Sequence, residues 1–178
     1  MARLVATEFY SLDGVVENPA WTFAYWNDEI AAFKQEEQST ADVMLLGRVT
    51  YQGFAEAWPA RREDDDFSRR FNEMEKRVVT STLTQLDWEN SHLLDGASIA
   101  DGVKALKERA AGDVIVHGSA TLVQELLRQG QVDELRLVIY PVTLGAGKRL
   151  FDGVDVKLEL LDQRATQTGA ILARYRPV

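Results

Sequence analysis

The chain has no cysteine, only two histidines, no excess of basic charge and no long hydrophobic run. Without cysteine there is no disulfide and no thiolate metal site. His92 and His117 fall in different predicted units, with no spacing that suits a catalytic triad or a zinc site. The formal net charge of −8 argues against nucleic acid or an anionic membrane as partner, because both need a basic surface. A small anionic ligand stays open, since a local basic pocket can overrule the global field. No apolar run approaches the roughly 20 residues of a membrane span. A β-prone segment begins within a few residues of Met1 and leaves no room for a signal peptide, so a cytoplasmic address is expected.

What is present fits one soluble domain over residues 1–178. The most informative stretch is Val114 to Phe151. Val114 to Val116 is a short apolar run, as in a strand buried on both faces of a parallel sheet. Gly118 and Ser119 permit a tight turn. Leu122, Val123, Leu126 and Leu127 then form one helix stripe that Gly130 can end. Leu135, Leu137 and Ile139 alternate with Arg136, Val138 and Tyr140, so a second strand follows. Strand, helix and strand make a right-handed crossover, and the helix start at Ser119 offers free N–H groups and a favourable dipole to a phosphate.

Other segments read similarly. Arg3 to Tyr10 and Val43 to Leu46 are further strands, and Trp26, Ile30 and Phe33 recur at helical spacing. Gly47-Arg48-Val49-Thr50-Tyr51 directly follows the second of these strands. It combines close backbone approach, a fixed positive fork and a hydroxyl at a helix start, a second candidate phosphate site. Ser81 and Thr82 end a short strand and could meet a ribose phosphate or cap a turn. Asp28 and Glu29 lie in a first helical turn, where acids suit the dipole; beside an aromatic pocket either could also bind or protonate a heterocycle. Trp21, Phe23, Tyr25 and Trp26 either cover the core edge or wall such a pocket. The acidic run Glu63 to Asp66 reads as a solvated helix start, not a metal site, and no metal is expected. Gly145-Ala146-Gly147-Lys148 fits neither a P-loop nor the dinucleotide fingerprint. The alternation at Val156, Leu158 and Leu160, followed by a return from Ala170 to Tyr175, predicts a C-terminal antiparallel hairpin.

Five segments together carry a resemblance: Ser11-Leu12-Asp13-Gly14, Gly47 to Tyr51, Val116 to Leu122, Val132-Asp133-Glu134-Leu135, and Pro141 to Phe151. In this order they resemble the dihydrofolate-reductase-like superfamily, and most of all the reductase domain of the bifunctional riboflavin-biosynthesis deaminase-reductase. No deaminase domain accompanies it. The resemblance covers nearly the whole chain. It implies a three-layer α/β/α sandwich around a mixed, mostly parallel sheet, with NADPH as hydride donor, a small heterocyclic substrate and a homodimer. Gly47, Arg48, Val49 and Thr50 would hold the adenosine-side phosphates, with Ser81 and Thr82 near the adenosine ribose and its phosphate. Gly118, Ser119, Ala120 and Thr121 would meet the pyrophosphate, with Leu122 in the same segment. The loop containing Asp13 would border nicotinamide and substrate, and Asp28 or Glu29 lies near the position of the dihydrofolate reductase acid. The family often has paired glycines where this chain has Gly118-Ser119. Three activities follow as expectations: reduction of the ribosylaminopyrimidine of riboflavin synthesis, reduction of dihydrofolate, or nucleotide binding without turnover.

Overall fold

The computed structural model describes residues 1–178. Eight strands form one sheet: β1 (Leu4–Ser11), β2 (Ala41–Gly47), β3 (Glu75–Val79), β4 (Ser91–Leu93), β5 (Asp113–His117), β6 (Glu134–Tyr140), β7 (Leu158–Ala165) and β8 (Ile171–Pro177). Five α-helices join them: α1 (Asp28–Thr40), α2 (Arg48–Ala57), α3 (Asp66–Glu73), α4 (Ile99–Arg109) and α5 (Ala120–Arg128). The strand order is β4-β3-β2-β5-β1-β6-β8-β7. Neighbours from β4 to β6 are parallel, while β8 runs antiparallel to both β6 and β7. This is the α/β sandwich with a mixed sheet that the resemblance implied, with the antiparallel end that the sequence pattern predicted.

The apolar runs explain the layers. In β2 the side chains of Val43 and Leu45 meet one helical layer, and those of Met44 and Leu46 meet the other. The first layer is α4 and α5, whose Val103, Leu106, Val123 and Leu126 pack on Leu4, Ala6, Val114 and Leu135. The opposite face carries two separate apolar clusters. Phe71 of α3 packs there with Met44, Ile115 and Trp88, and Ile30 and Phe33 of α1 pack with Val138, Tyr140 and Leu172. Between these clusters, under the C-terminal half of α1, the interface is polar. Thr7 Oγ1 donates to Glu37 Oε1 (2.9 Å) and accepts from Lys34 Nζ (2.9 Å), and Lys34 also pairs with Glu37.

Local signals placed the helix ends. Asn27, Asp65 and Ser98 each accept a backbone N–H three residues on and so cap α1, α3 and α4. Gly130, at φ +63°, closes α5 as the sequence implied. The C-terminal alternation forms the antiparallel β7–β8 hairpin that it predicted, and nearly all of β7 is exposed. It is the outermost strand, and its close contacts are with β8, so neither face is covered. His117, the last residue of β5, packs edge-on against Phe54 and Phe71. Burial of the ring, with Lys34 nearby, keeps its imidazole neutral, well below the usual range.

Candidate active site

Three adjacent strands, β3, β2 and β5, end along one edge of the sheet. In open parallel sheets this carboxyl edge is where ligands bind. Gly47 is in register with Val79, and Leu45 with Val116, so the three following turns lie side by side. The two glycine turns touch. A Cβ on Gly47 would stand 3.0 Å from both Cβ and Oγ of Ser119, so a side chain there would push Ser119 away. Ser119 N–H donates to Thr50 Oγ1 at 3.3 Å, linking the start of α5 to the first turn of α2. Gly118 has φ +60°, and Gly118 N–H donates to Thr7 O at 3.3 Å. The structure therefore brings Gly47, Thr50, Gly118 and Ser119 together.

These two helices differ from the other three. Neither α2 nor α5 has a side-chain cap at its start. Each begins with backbone N–H groups that have no intrahelical partner and carry the positive end of the dipole. Ala120 and Leu122 are buried, and Thr121 is exposed beside a cleft that it shares with Gln124, Lys148, Arg149 and Asp152. Arg48 and Val49 project outward from the first turn of α2, and Arg48 Nη1 donates to Gln52 Oε1 at 3.0 Å. Beyond β3, Thr80 Oγ1 accepts from the N–H groups of Thr82 and Leu83, each at 3.1 Å. Thr80 thus makes the turn, which leaves Ser81 and Thr82 exposed on it.

The acids picked out in the sequence occupy three different settings. Asp13 is a clasp. Its carboxylate accepts from Ser11 Oγ (2.6 Å), Gly145 N–H (2.8 Å) and Leu144 N–H (3.1 Å). These bonds, that of Ser11 foremost, pull its pKa down to about 2, so it is ionised at neutral pH. Arg149 Nε donates to Asp13 O at 2.9 Å, which binds the Ser11–Gly14 loop to the glycine loop a second time. Gly147 meets the same loop so closely that a Cβ there would lie 2.6 Å from Val15 Cγ1. Glu29 Oε2 accepts from Gln167 N–H (2.8 Å) and Asn27 Nδ2 (3.1 Å), which fastens α1 to the β7–β8 hairpin at the far end of the sheet. Asp28 is exposed. Of the aromatic group, Trp21 and Tyr25 pack edge-on against Tyr140, whereas Phe23 and Trp26 are exposed, Trp26 with its ring edge-on to Phe9.

One acid in the site was missed. Glu8 lies in β1, on the strand beside β5, and its residue is only 6% exposed. A Cβ on Gly118 would lie 3.4 Å from Glu8 Oε2 and 3.8 Å from Thr50 Oγ1. Glu8 Oε1 is buried without a hydrogen-bond partner. Burial raises its pKa to about 8, against a smaller lowering by Lys34. The signal was available: a single carboxylate inside a β-prone run is costly to bury unless it has a task.

Residues 2–172 match the RibD C-terminal domain family. The chain is 30% identical over 140 residues to the uncharacterized protein YyaP of Bacillus subtilis strain 168, spanning 75% of this chain and 73% of YyaP. Its fold is similar to that of a candidate riboflavin biosynthesis protein from Shewanella sp. PV-4, with a TM-score of 0.80, 17% identity, and 100% and 99% of the two chains covered. The fold is also similar to that of the dihydrofolate reductase from Enterococcus faecalis complexed with NADP(H), with a TM-score of 0.64, 18% identity, and 98% and 96% covered. The chain belongs to the RibD C-terminal domain family, a reductase-like family built on the dihydrofolate-reductase fold.

Proposed function

We propose that the protein is an NADPH-dependent reductase of a small heterocycle, acting as one domain over residues 1–178. The nearest activity is that of 5-amino-6-(5-phosphoribosylamino)uracil reductase. The observation that carries this reading is the pair of uncapped helix starts, touching at Gly47 and Ser119, with Arg48 beside them. That donor set suits a dinucleotide: backbone N–H groups for a pyrophosphate, a guanidinium for an added phosphate, and no carboxylate cap in competition.

In this reading Gly118, Ser119, Ala120 and Thr121, with Leu122 behind them, receive the pyrophosphate. Gly47, Arg48, Val49 and Thr50 hold the adenosine-side phosphate, and Ser81 and Thr82 face the ribose there. Bound NADPH supplies the hydride, and the chain supplies position. The Asp13 clasp fixes the loop that borders nicotinamide and substrate; an ionised Asp13 holds that loop and carries no proton to give at neutral pH. Lys148 and Arg149 line the open cleft beside α5 and are available to a substrate phosphate.

Dihydrofolate is the second candidate substrate, and the structure favours it less. It would need Asp28 or Glu29 turned to a pocket, but Glu29 is engaged by the hairpin and Asp28 by solvent. The test is NADPH oxidation with the ribosylaminopyrimidine phosphate and with dihydrofolate, each alone. Turnover of the pyrimidine is expected. Turnover of dihydrofolate alone would reverse the choice. Tight NADPH binding with no oxidation across a carbonyl and imine panel would make the chain a binding protein.

The homodimer implied by the resemblance belongs to the same proposal. The outer edge of β7 pairs with no strand, and Leu160, Leu161 and Ile171 are exposed on the terminal hairpin. An edge of this kind is covered in most proteins. Light scattering at micromolar concentration is expected to return twice the chain mass, and Leu160→Lys to return the chain mass. A wild-type protein that stays monomeric removes this part.

A further inference from the structure

The cofactor reading leaves one group without a role: Glu8, at the floor of the two glycine turns. Its carboxyl and the Thr50 hydroxyl surround the space that a side chain on Gly118 would fill. On its own face of the sheet it is met by the turn after β5, by α2 and by β6. Lys34 of α1 acts on it only through its charge, from the opposite face, where Glu37 and Thr7 hold it. His117 of β5, in register with Thr7, also lies on that opposite face, against Phe71, and is neutral. Thr50 comes from α2, and Leu137, in register with Glu8, comes from β6. On β1 itself the next titratable group is Tyr10. None of them gives Glu8 a salt bridge or a hydrogen bond, and Oε1 is left with no partner at all.

We propose that Glu8 is a cofactor-site residue that must carry a proton for a pyrophosphate to occupy the paired turns, so that NADPH binding takes up one proton there. The physical reason is simple. A pyrophosphate brings two negative charges to N–H groups a few ångströms above a buried carboxyl, in surroundings where charges are weakly screened. An ionised Glu8 repels it; a protonated Glu8 does not, and its O–H supplies a donor where the orphaned oxygen now lies. The group titrates near pH 8 in the free protein, because burial outweighs Lys34, so the linkage falls within reach of ordinary buffers. The sign follows. Below pH 8 Glu8 already holds its proton and affinity is flat. Above pH 8 the proton must be taken from solvent, and affinity falls towards about tenfold per pH unit.

This inference rests on the cofactor reading above, and its test separates the two. NADPH is titrated calorimetrically between pH 6 and pH 9.5, in pairs of buffers that differ in ionisation heat, with NADH alongside to remove titration of the additional phosphate. The wild-type protein is expected to take up close to no proton at the acid end and close to one at the alkaline end, with both cofactors. Glu8→Gln is expected to bind with an affinity independent of pH and to take up none. The wild-type proton count alone overturns the proposal if it stays at zero, whatever the variant does. A Glu8→Gln protein that keeps the wild-type pH profile also overturns it. Absence of NADPH binding at pH 6 removes the cofactor reading and this inference with it.

Discussion

Arg48→Ala is expected to weaken NADPH binding about 10- to 100-fold and to leave NADH binding within about threefold. Most arginines of this chain have a carboxylate partner: Arg3, Arg62, Arg77, Arg109, Arg136 and Arg174 among them. Arg48 has none. Its one hydrogen bond goes to a neutral amide, Gln52 Oε1. In a chain of net charge −8 an exposed arginine without an acid, on the first residue of an uncapped helix, is positioned for a ligand anion. A guanidinium–phosphate pair is worth about 1.5–3 kcal/mol, which sets the expected range. If Arg48 holds the phosphate that NADH lacks, as proposed, the loss is selective. Arg48→Lys keeps the charge without the fork and is expected to fall between the two. Fluorescence titration with both cofactors checks this, and an equal loss for NADPH and NADH removes Arg48 from the phosphate site.

The sequence was legible where one physical pattern dominates. Continuous apolar runs such as Val43 to Leu46 have one solution, a strand covered on both faces, and they placed β2 and β5. The glycine turns after those strands could be named as candidate phosphate sites from residue types alone. Their contact could not: that Gly47 meets Ser119 depends on β2 and β5 being neighbours, although β3, β4 and three α-helices lie between them in the chain. The acids were read least well, for the same reason. Asp13 and Glu29 drew attention by local position, yet their partners, Gly145 and Gln167, are more than a hundred residues away. Glu8 drew none, because the Gly118 turn and Thr50 of α2 that stand beside it fall in no local window. β7 shows the converse: its alternation is real, but a period of two says only that a strand has two faces, not that either is covered.

The largest stability effect is expected at Glu134, the first residue of β6. Its carboxylate accepts from Arg136 Nε (2.7 Å), Arg174 Nε (2.8 Å) and Arg3 Nη1 (2.9 Å), and so ties β1, β6 and β8 together. The three arginines are not equivalent. The side chains of Arg3 and Arg174 are 45% and 28% exposed and can turn to water, whereas that of Arg136 is 2% exposed and cannot. With Glu134 gone, the nearest acid to Arg136 is Glu36, 3.9 Å away and half-exposed. Glu134→Ala is therefore expected to cost about 3–5 kcal/mol, the penalty of a buried charge without a partner. The double variant Glu134→Leu with Arg136→Leu removes both charges and is expected to recover most of that loss, because two apolar side chains of similar volume need no desolvation of ions. The pH dependence has a fixed sign. Burial pushes the Glu134 carboxyl up, but hydrogen bonds from Arg174 and Arg136 outweigh it, and the folded pKa lies below the ordinary 4.5. The stabilisation is thus complete above pH 4.5 and is lost as pH falls through the depressed folded value. Urea unfolding of wild type, Glu134→Ala and the double variant at neutral pH and in acid measures all three terms. A single variant within about 1 kcal/mol of wild type at neutral pH would show that Arg136 finds water or another acid, and that these three strands are held by their apolar faces alone.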